Sequence, residues 1–559
     1  MEDLKEYIVT AKDYECLECL YHDLETPGGS DTIPEREVHC CDRRPISRNT
    51  HYFLTDDEVK KLINDERVIF VESADFLRSM TPVTTFEQSS SFFNKGATEN
   101  SNHTNWGLLR CERGQQIYAW GADGIPNQVG VITTTSTGKN VDVVILDTII
   151  DGNDPEYAKN PDGTGGSRFV AYNWYQHNAA LGLPASAPYQ YVPVGQESHG
   201  QHVAGTVAGN TQGWARDANI YNITVFSYPG TNSQIQTSRV YDYIRMFHKT
   251  KPINPLTGHK NPTIVNNSWG IELTLHRDSN TGIGNSMYVL RRGTTYYGPF
   301  TDQQLESHGV MQYTSSGGSY GLGTITVSTN SGSINADIED MINEGVITCG
   351  SSGNGRMKID VLGGIDYNNR VAATYISSSV GTISAFGVFY HQGSSPGVGS
   401  STICVGATNS AVVDAKRAFS DCGPRVNVFA PGTNIQSSHL TTGPVPDPRN
   451  ATYTRGKLNG TSMSCPQVSG LLACLAEHYP RITQKMALEY IDKYWQKNAL
   501  LNSGEDSYTD EVSLQGAANL YAIHVKDRKL VGITQPRTNH WERPARGNVW
   551  PRKSTVYGG

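Results

Sequence analysis

Gly460-Thr461-Ser462-Met463-Ser464-Cys465-Pro466 sets a small hydroxyl where a helix is about to begin. Val468, Leu471, Leu472 and Leu475 follow at helical spacing, so the helix buries one face while its first amides point back toward the serine. Pro466 falls within the first turn, where a missing backbone donor does little harm. A Gly-Thr-Ser ahead of a helix is also an ordinary N-cap. Two further segments favour chemistry. Val143-Val144-Ile145-Leu146 is an apolar run that ends in Asp147, as a buried parallel strand does when it delivers a side chain to the carboxyl edge of its sheet. In Ser198-His199-Gly200-Gln201-His202, His199 opens a helix of small residues. Ser462, His199 and Asp147 are the groups needed for attack on a carbonyl carbon: a nucleophile, a base to take its proton, and a carboxylate to orient the base.

Other elements must position these groups. Val346–Cys349 reads as a strand running into Gly350-Ser351-Ser352-Gly353-Asn354-Gly355, where Asn354 between glycines suits a turn. Thr263–Asn267 reads as a strand ending in Ser268-Trp269-Gly270, either a core strand entering a turn or an edge on which an extended peptide could lie. Asp151 and Asp154 are rival carboxylates to Asp147, but both fall in the following loop and neither ends a buried strand.

The local sequences around Asp147, His199 and Ser462, in that chain order, resemble the subtilisin-like serine proteases. The resemblance covers about residues 105–524. It implies an α/β fold of three layers with a mostly parallel central sheet, and a serine endopeptidase that requires no cofactor. By the same resemblance Asn354 would act with the Ser462 backbone amide as the oxyanion hole. Ser268, Trp269 and Gly270 would bind a polypeptide substrate, with Gly353 across the cleft, and His202 would support the base. Glu156 matches an acidic position that helps to hold a structural calcium in the family. Ile149 and Gln201 depart from the pattern, standing where glycine and threonine are usual; neither position is catalytic.

Residues 1–78 read as a small α+β unit. It has strands at Tyr7–Thr10, His51–Leu54 and Val68–Val71, a helix over Tyr14–Leu24, and a capping box, Thr55-Asp56-Asp57-Glu58, that opens a second helix. The unit resembles the inhibitory propeptide of the same proteases, which implies that its C-terminal end lies in the active-site cleft; a generic adaptor domain is the alternative. Residues 79–104, rich in Ser, Thr and Asn, form a linker in which cleavage could occur. The catalytic region carries an insertion at about 271–333, with a hairpin expected from Met287–Leu290 and Tyr296–Phe300. Helices are expected near Met486–Trp495 and Leu514–Ala522.

The tail, 525–559, is basic and proline-rich, which suits a segment pinned to a larger protein assembly. The tail and the polar insertion resemble protease-like proteins of phage particles. This sets a rival reading, in which the fold serves mainly as a scaffold in a virion.

A net charge of −8 over 559 residues gives no general reason to bind nucleic acid, and no apolar run reaches membrane-spanning length. Met1–Glu6 lacks the basic start and apolar core of a signal peptide, so the expectation is synthesis as a cytoplasmic protein. The 10 cysteines are scattered and suit buried thiols better than disulfides. Cys16, Cys19, His39, Cys40 and Cys41 have zinc-like spacing, though packing and loop roles fit them better.

Overall fold

The computed structural model describes residues 4–525 apart from gaps, the longest of which are 89–105, 115–133, 277–287 and 311–323; the tail from 526 onward lies outside the described residues. Its centre is an eight-stranded sheet in the order Gln496–Lys497, Leu520–Tyr521, Val428–Pro431, Ile403–Thr408, Ile347–Ser351, Thr263–Asn267, Asp142–Asp147, Asn219–Thr224. All neighbours are parallel except the first pair. Both faces of this sheet are covered, and the strand sequences show why. Val143 and Ile145 join a core with the helices His199–Ala208, Thr461–His478 and Gln484–Tyr494, while Val144 and Leu146 join a second core with Val240–Thr250 and Gly332–Asn343. A strand buried on both sides must be apolar throughout, and Asp147 ends the run where the sheet meets the cleft.

The N-terminal unit runs strand, helix, strand, strand, helix, strand, and its four strands are antiparallel in the order Cys40–Arg43, Asn49–Leu54, Lys5–Ala11, Val68–Ser73. The Thr55 capping box forms as the sequence requires. Cys40–Arg43 is a strand that its sequence did not announce. Among the described residues no cluster able to hold a metal is present, and all ten cysteines are free.

This unit docks on the helices Val240–Thr250 and Gly332–Asn343 through buried ion pairs. Arg44 meets Asp242 at 2.7 Å and Asp337 at 2.9 Å, and Arg48 meets Glu339 at 2.9 Å and Asp340 at 3.1 Å. Glu72 accepts from the Ser331 and Ser333 hydroxyls at the start of the second helix, where an anion also meets the positive end of the helix dipole.

Past this unit the backbone makes two short pairings. Thr81–Val83 runs antiparallel to the strand Gly270–His276, with Val83 opposite Gly270 and Thr81 opposite Glu272. Glu87–Gln88 pairs with the strand Asn450–Asn459, with Glu87 opposite Asn459, three residues before Ser462.

Two expectations are refined and one is corrected. The hairpin is Tyr288–Arg291 with Thr294–Tyr297, joined by Arg292 and Gly293 at φ 47° and 83°, the left-handed pair that a two-residue turn demands. It joins a small sheet with Arg370–Ala372 and Val388–Phe389, and Val289 shares a core with Leu273 of the strand Gly270–His276. The helix near Met486–Trp495 spans Gln484–Tyr494. No helix forms at Leu514–Ala522: Gln515 and Gly516 take φ 47° and 89°, which breaks the turn, and only Leu520–Tyr521 is regular, as a strand.

Candidate active site

Asp147 and His199 reach each other from the end of a strand and the start of a helix. His199 Nδ1 lies 2.7 Å from Asp147 Oδ1, and both side chains are fully buried. A carboxylate only accepts, so Nδ1 carries the proton and Nε2 is left as the basic nitrogen. The Thr148 amide donates to the same carboxylate at 2.8 Å, and the Thr148 hydroxyl accepts from the Gly200 amide at 2.7 Å. This hydroxyl staples the helix start to the strand end. Residue 200 must be glycine, because a Cβ there would come within 2.5 Å of the Thr148 carbonyl oxygen.

Gln201, a departure from the family pattern, braces the loop after Asp147. Its side chain accepts from the Asp151 amide at 3.0 Å and donates to Asp154 at 2.9 Å. The rival carboxylates are thereby committed elsewhere, for Asp151 also accepts from the Tyr453 hydroxyl at 2.9 Å. Ile149 is simply buried. His202 donates from Nε2 to the Ile435 carbonyl at 2.7 Å, and burial drives its pKa far below the ordinary value, so it stays neutral beneath the site.

Ser462 sits in the first turn of Thr461–His478 and exchanges hydrogen bonds with Ser268. The Ser462 hydroxyl donates to the Ser268 carbonyl at 3.0 Å, and the Ser268 hydroxyl donates to the Ser462 carbonyl at 2.9 Å. Pro466 makes the second bond available. Lacking an N–H, it leaves the carbonyl four residues back without a helical donor, and Ser268 fills the vacancy. Asn354 is held by its oxygen, which accepts from both the amide and the hydroxyl of Thr461 at 2.9 Å. Its NH₂ end is therefore turned away from Thr461. Thr461, which nothing in the sequence singled out, fixes this orientation.

Trp269 is buried among the apolar side chains under the cleft, and Gly270 lies so close to Ser394 that a Cβ would meet its hydroxyl at 2.5 Å. Gly353, at φ 114°, has no room for a side chain: a Cβ would come within 2.3 Å of Asp421 Oδ2.

Glu156 does not fit a calcium ligand in this chain. Its carboxylate is fully buried and accepts from the Thr211 amide at 2.9 Å and the Thr211 hydroxyl at 2.5 Å, while Arg449 Nη2 lies 2.5 Å away and Arg455 Nη2 3.9 Å. Burial pushes its pKa up, but the two guanidinium groups outweigh that and hold it below the ordinary carboxylate range. Arg449 is fixed in turn by Asp447 at 2.6 Å. The charge that a metal would supply comes from the chain itself.

Residues 138–517 match the Subtilase family. The chain belongs to the subtilase family. It is 23% identical over 397 residues to an extracellular serine proteinase of Thermus sp. (strain Rt41A), covering 70% of this chain and 65% of that protein. It is 34% identical over 122 residues to the subtilisin of Bacillus pumilus, covering 21% of this chain and 40% of that protein. The chain thus spans less than two thirds of the length of these curated relatives. Among solved structures, fervidolysin from Fervidobacterium pennivorans matches with 16% identity and a TM-score of 0.47, covering 93% of this chain and 60% of that one. In this subtilase Asp147 pairs with His199, Ser462 with Ser268, and Asn354 with Thr461.

Proposed function

We propose that this subtilase is a serine endopeptidase working through Asp147, His199 and Ser462. The observation that carries the reading is the fully buried 2.7 Å pair of Asp147 and His199, which fixes the imidazole with Nδ1 as the donor and Nε2 as the basic nitrogen. In the reaction the Ser462 hydroxyl turns from the Ser268 carbonyl to His199, gives up its proton and attacks a peptide carbonyl. His199 then returns the proton to the leaving amine while Asp147 stabilises the imidazolium. Negative charge on the carbonyl oxygen meets the Asn354 NH₂ and the Ser462 amide at the helix N-terminus. A donor of this kind contributes about 3 to 4 kcal/mol in the transition state.

Ser462→Ala removes one buried hydroxyl, and purified protein carrying it should lose peptide hydrolysis by on the order of a million-fold with an unchanged fold. Hydrolysis at the parent rate would end the assignment. Asn354→Ala should lower turnover by about a hundred- to a thousand-fold with little change in KM. A loss seen only in KM would move Asn354 to substrate binding.

The N-terminal unit is read as an inhibitory propeptide. The pairings at Val83 with Gly270 and at Glu87 with Asn459 support this, since one lies on the strand that Gly270 opens and the other on the strand that ends three residues before Ser462, as an extended peptide laid along the site would pair. The bond cut during maturation then lies between Val83 and Glu87. Intact-mass analysis of incubated protein should find a new N-terminus at 84–87, absent in Ser462→Ala; a stable intact chain with an active serine would leave residues 1–78 as a docking or folding unit.

A further inference from the structure

Gly270 and Gly353 belong to the two walls between which a substrate side chain would lie. The residue whose carbonyl sits at Asn354 presents its side chain beside Gly353, the neighbour of Asn354. Two carboxylates close on this space. Glu272 follows Gly270 by two residues on the same side of the strand Gly270–His276, and is half-buried. Asp421 stands directly behind Gly353, with Oδ2 against the position that a Cβ would take. Its Oδ1 accepts from the Met357 amide at 2.8 Å. Oδ2 is fully buried and has no hydrogen-bond partner.

We infer that Glu272 and Asp421 form an acidic specificity pocket that selects lysine or arginine on the acyl side of the bond cut. This rests on the protease reading and names its substrate class.

A buried carboxylate is stable when it is paired, hydrogen-bonded or protonated. Asp421 has no ion pair with any described side chain; Lys416 acts on it only through space. Burial pushes its pKa up to about 8, the Met357 and Gly355 amides oppose this, and the charge of Glu272 adds to it. Glu272 is pushed up to about 7 by burial alone. Among the described residues neither group has an ion-paired cation, Lys416 acting on Asp421 only through space, and an entering ammonium or guanidinium would complete the pair. Two other buried carboxylates, Asp337 and Glu156, are matched with arginine, at Arg44 and Arg449. The segment that pairs along Gly270–Glu272 supplies no positive charge either, since Thr84, Thr85 and Phe86 follow Val83. An intramolecular cut does not need the pocket's preference, because tethering supplies the effective concentration.

The test uses the full chain and peptides identical except for Arg, Lys, Phe, Thr or Glu before the scissile bond. The kcat/KM ratio of Arg to Phe should be on the order of 100. Glu272→Gln and Asp421→Asn should each lower that ratio about 10-fold or more, and Glu272→Lys, on the more exposed carboxylate, should raise cleavage after Glu relative to Arg. Cleavage that favours Phe or Thr over Arg, or a ratio unmoved by Glu272→Gln, overturns the pocket and leaves the protease reading intact. Absence of cleavage together with an unreactive Ser462 overturns both.

Discussion

Glu156 and Asp421 are both fully buried carboxylates of the same domain, and the chain treats them in opposite ways. Glu156 meets Arg449, Arg455 and the Thr211 donors, and its pKa is held down. Asp421 meets backbone amides on one oxygen and nothing on the other, and burial pushes its pKa up to about 8. At Glu156, which holds a loop, the chain brings its own counter-ion. Asp421, behind Gly353, forms no ion pair with a described side chain, so burial suppresses its charge.

The largest effect expected from breaking this comparison is at Arg449. Arg449→Met leaves Glu156 buried beside a lost partner and should cost on the order of 3 to 5 kcal/mol in denaturant-induced unfolding, much of it recovered by adding Glu156→Gln. A neutral single variant would mean that the guanidinium does not hold this loop.

A smaller effect is expected at Asp421, in slope rather than midpoint. Its folded pKa of about 8 lies above the ordinary value of 3.8, so its share of stability is complete below about pH 4 and is lost as pH rises through about 8. Asp421→Asn should flatten the pH dependence of unfolding over that window. A parallel profile would show that Asp421 ionises in the fold without penalty.

The smallest effect is expected from chelation. Calcium on Glu156 at a hundred times its Kd would add about 2.7 kcal/mol of stability. With Arg449 in its place, EDTA should leave the unfolding midpoint of the parent protein unmoved. A fall that disappears in Glu156→Gln would put a metal on that carboxylate after all.

The sequence carried the parts whose signals are local. Asp147 ends an unbroken apolar run, His199 opens a helix of small residues, and Thr55 caps with Glu58, so strand, helix and cap could be read within a few residues of each other. Leu514–Ala522 misled because its apolar spacing suits a helix, while the backbone at Gln515 and Gly516 forbids one. The partners of Glu156 and Gly353 had no local signal at all. Arg449 is 293 positions from Glu156, on a hairpin whose approach only the packed domain determines. Asp421 lies behind Gly353 because two sheet-end loops meet, and Thr461 looked like an N-cap neighbour until its hydroxyl was found on Asn354.

The central claim is that Ser462 is an activated nucleophile, and a serine-directed fluorophosphonate tests it most directly because labelling needs both the base and the oxyanion donors but no knowledge of the natural substrate. The parent chain should take up one label, mapped to Ser462 by peptide mass analysis, with His199→Ala and Ser462→Ala unlabelled. Absence of label on the folded parent chain, or equal labelling in His199→Ala, would contradict the account.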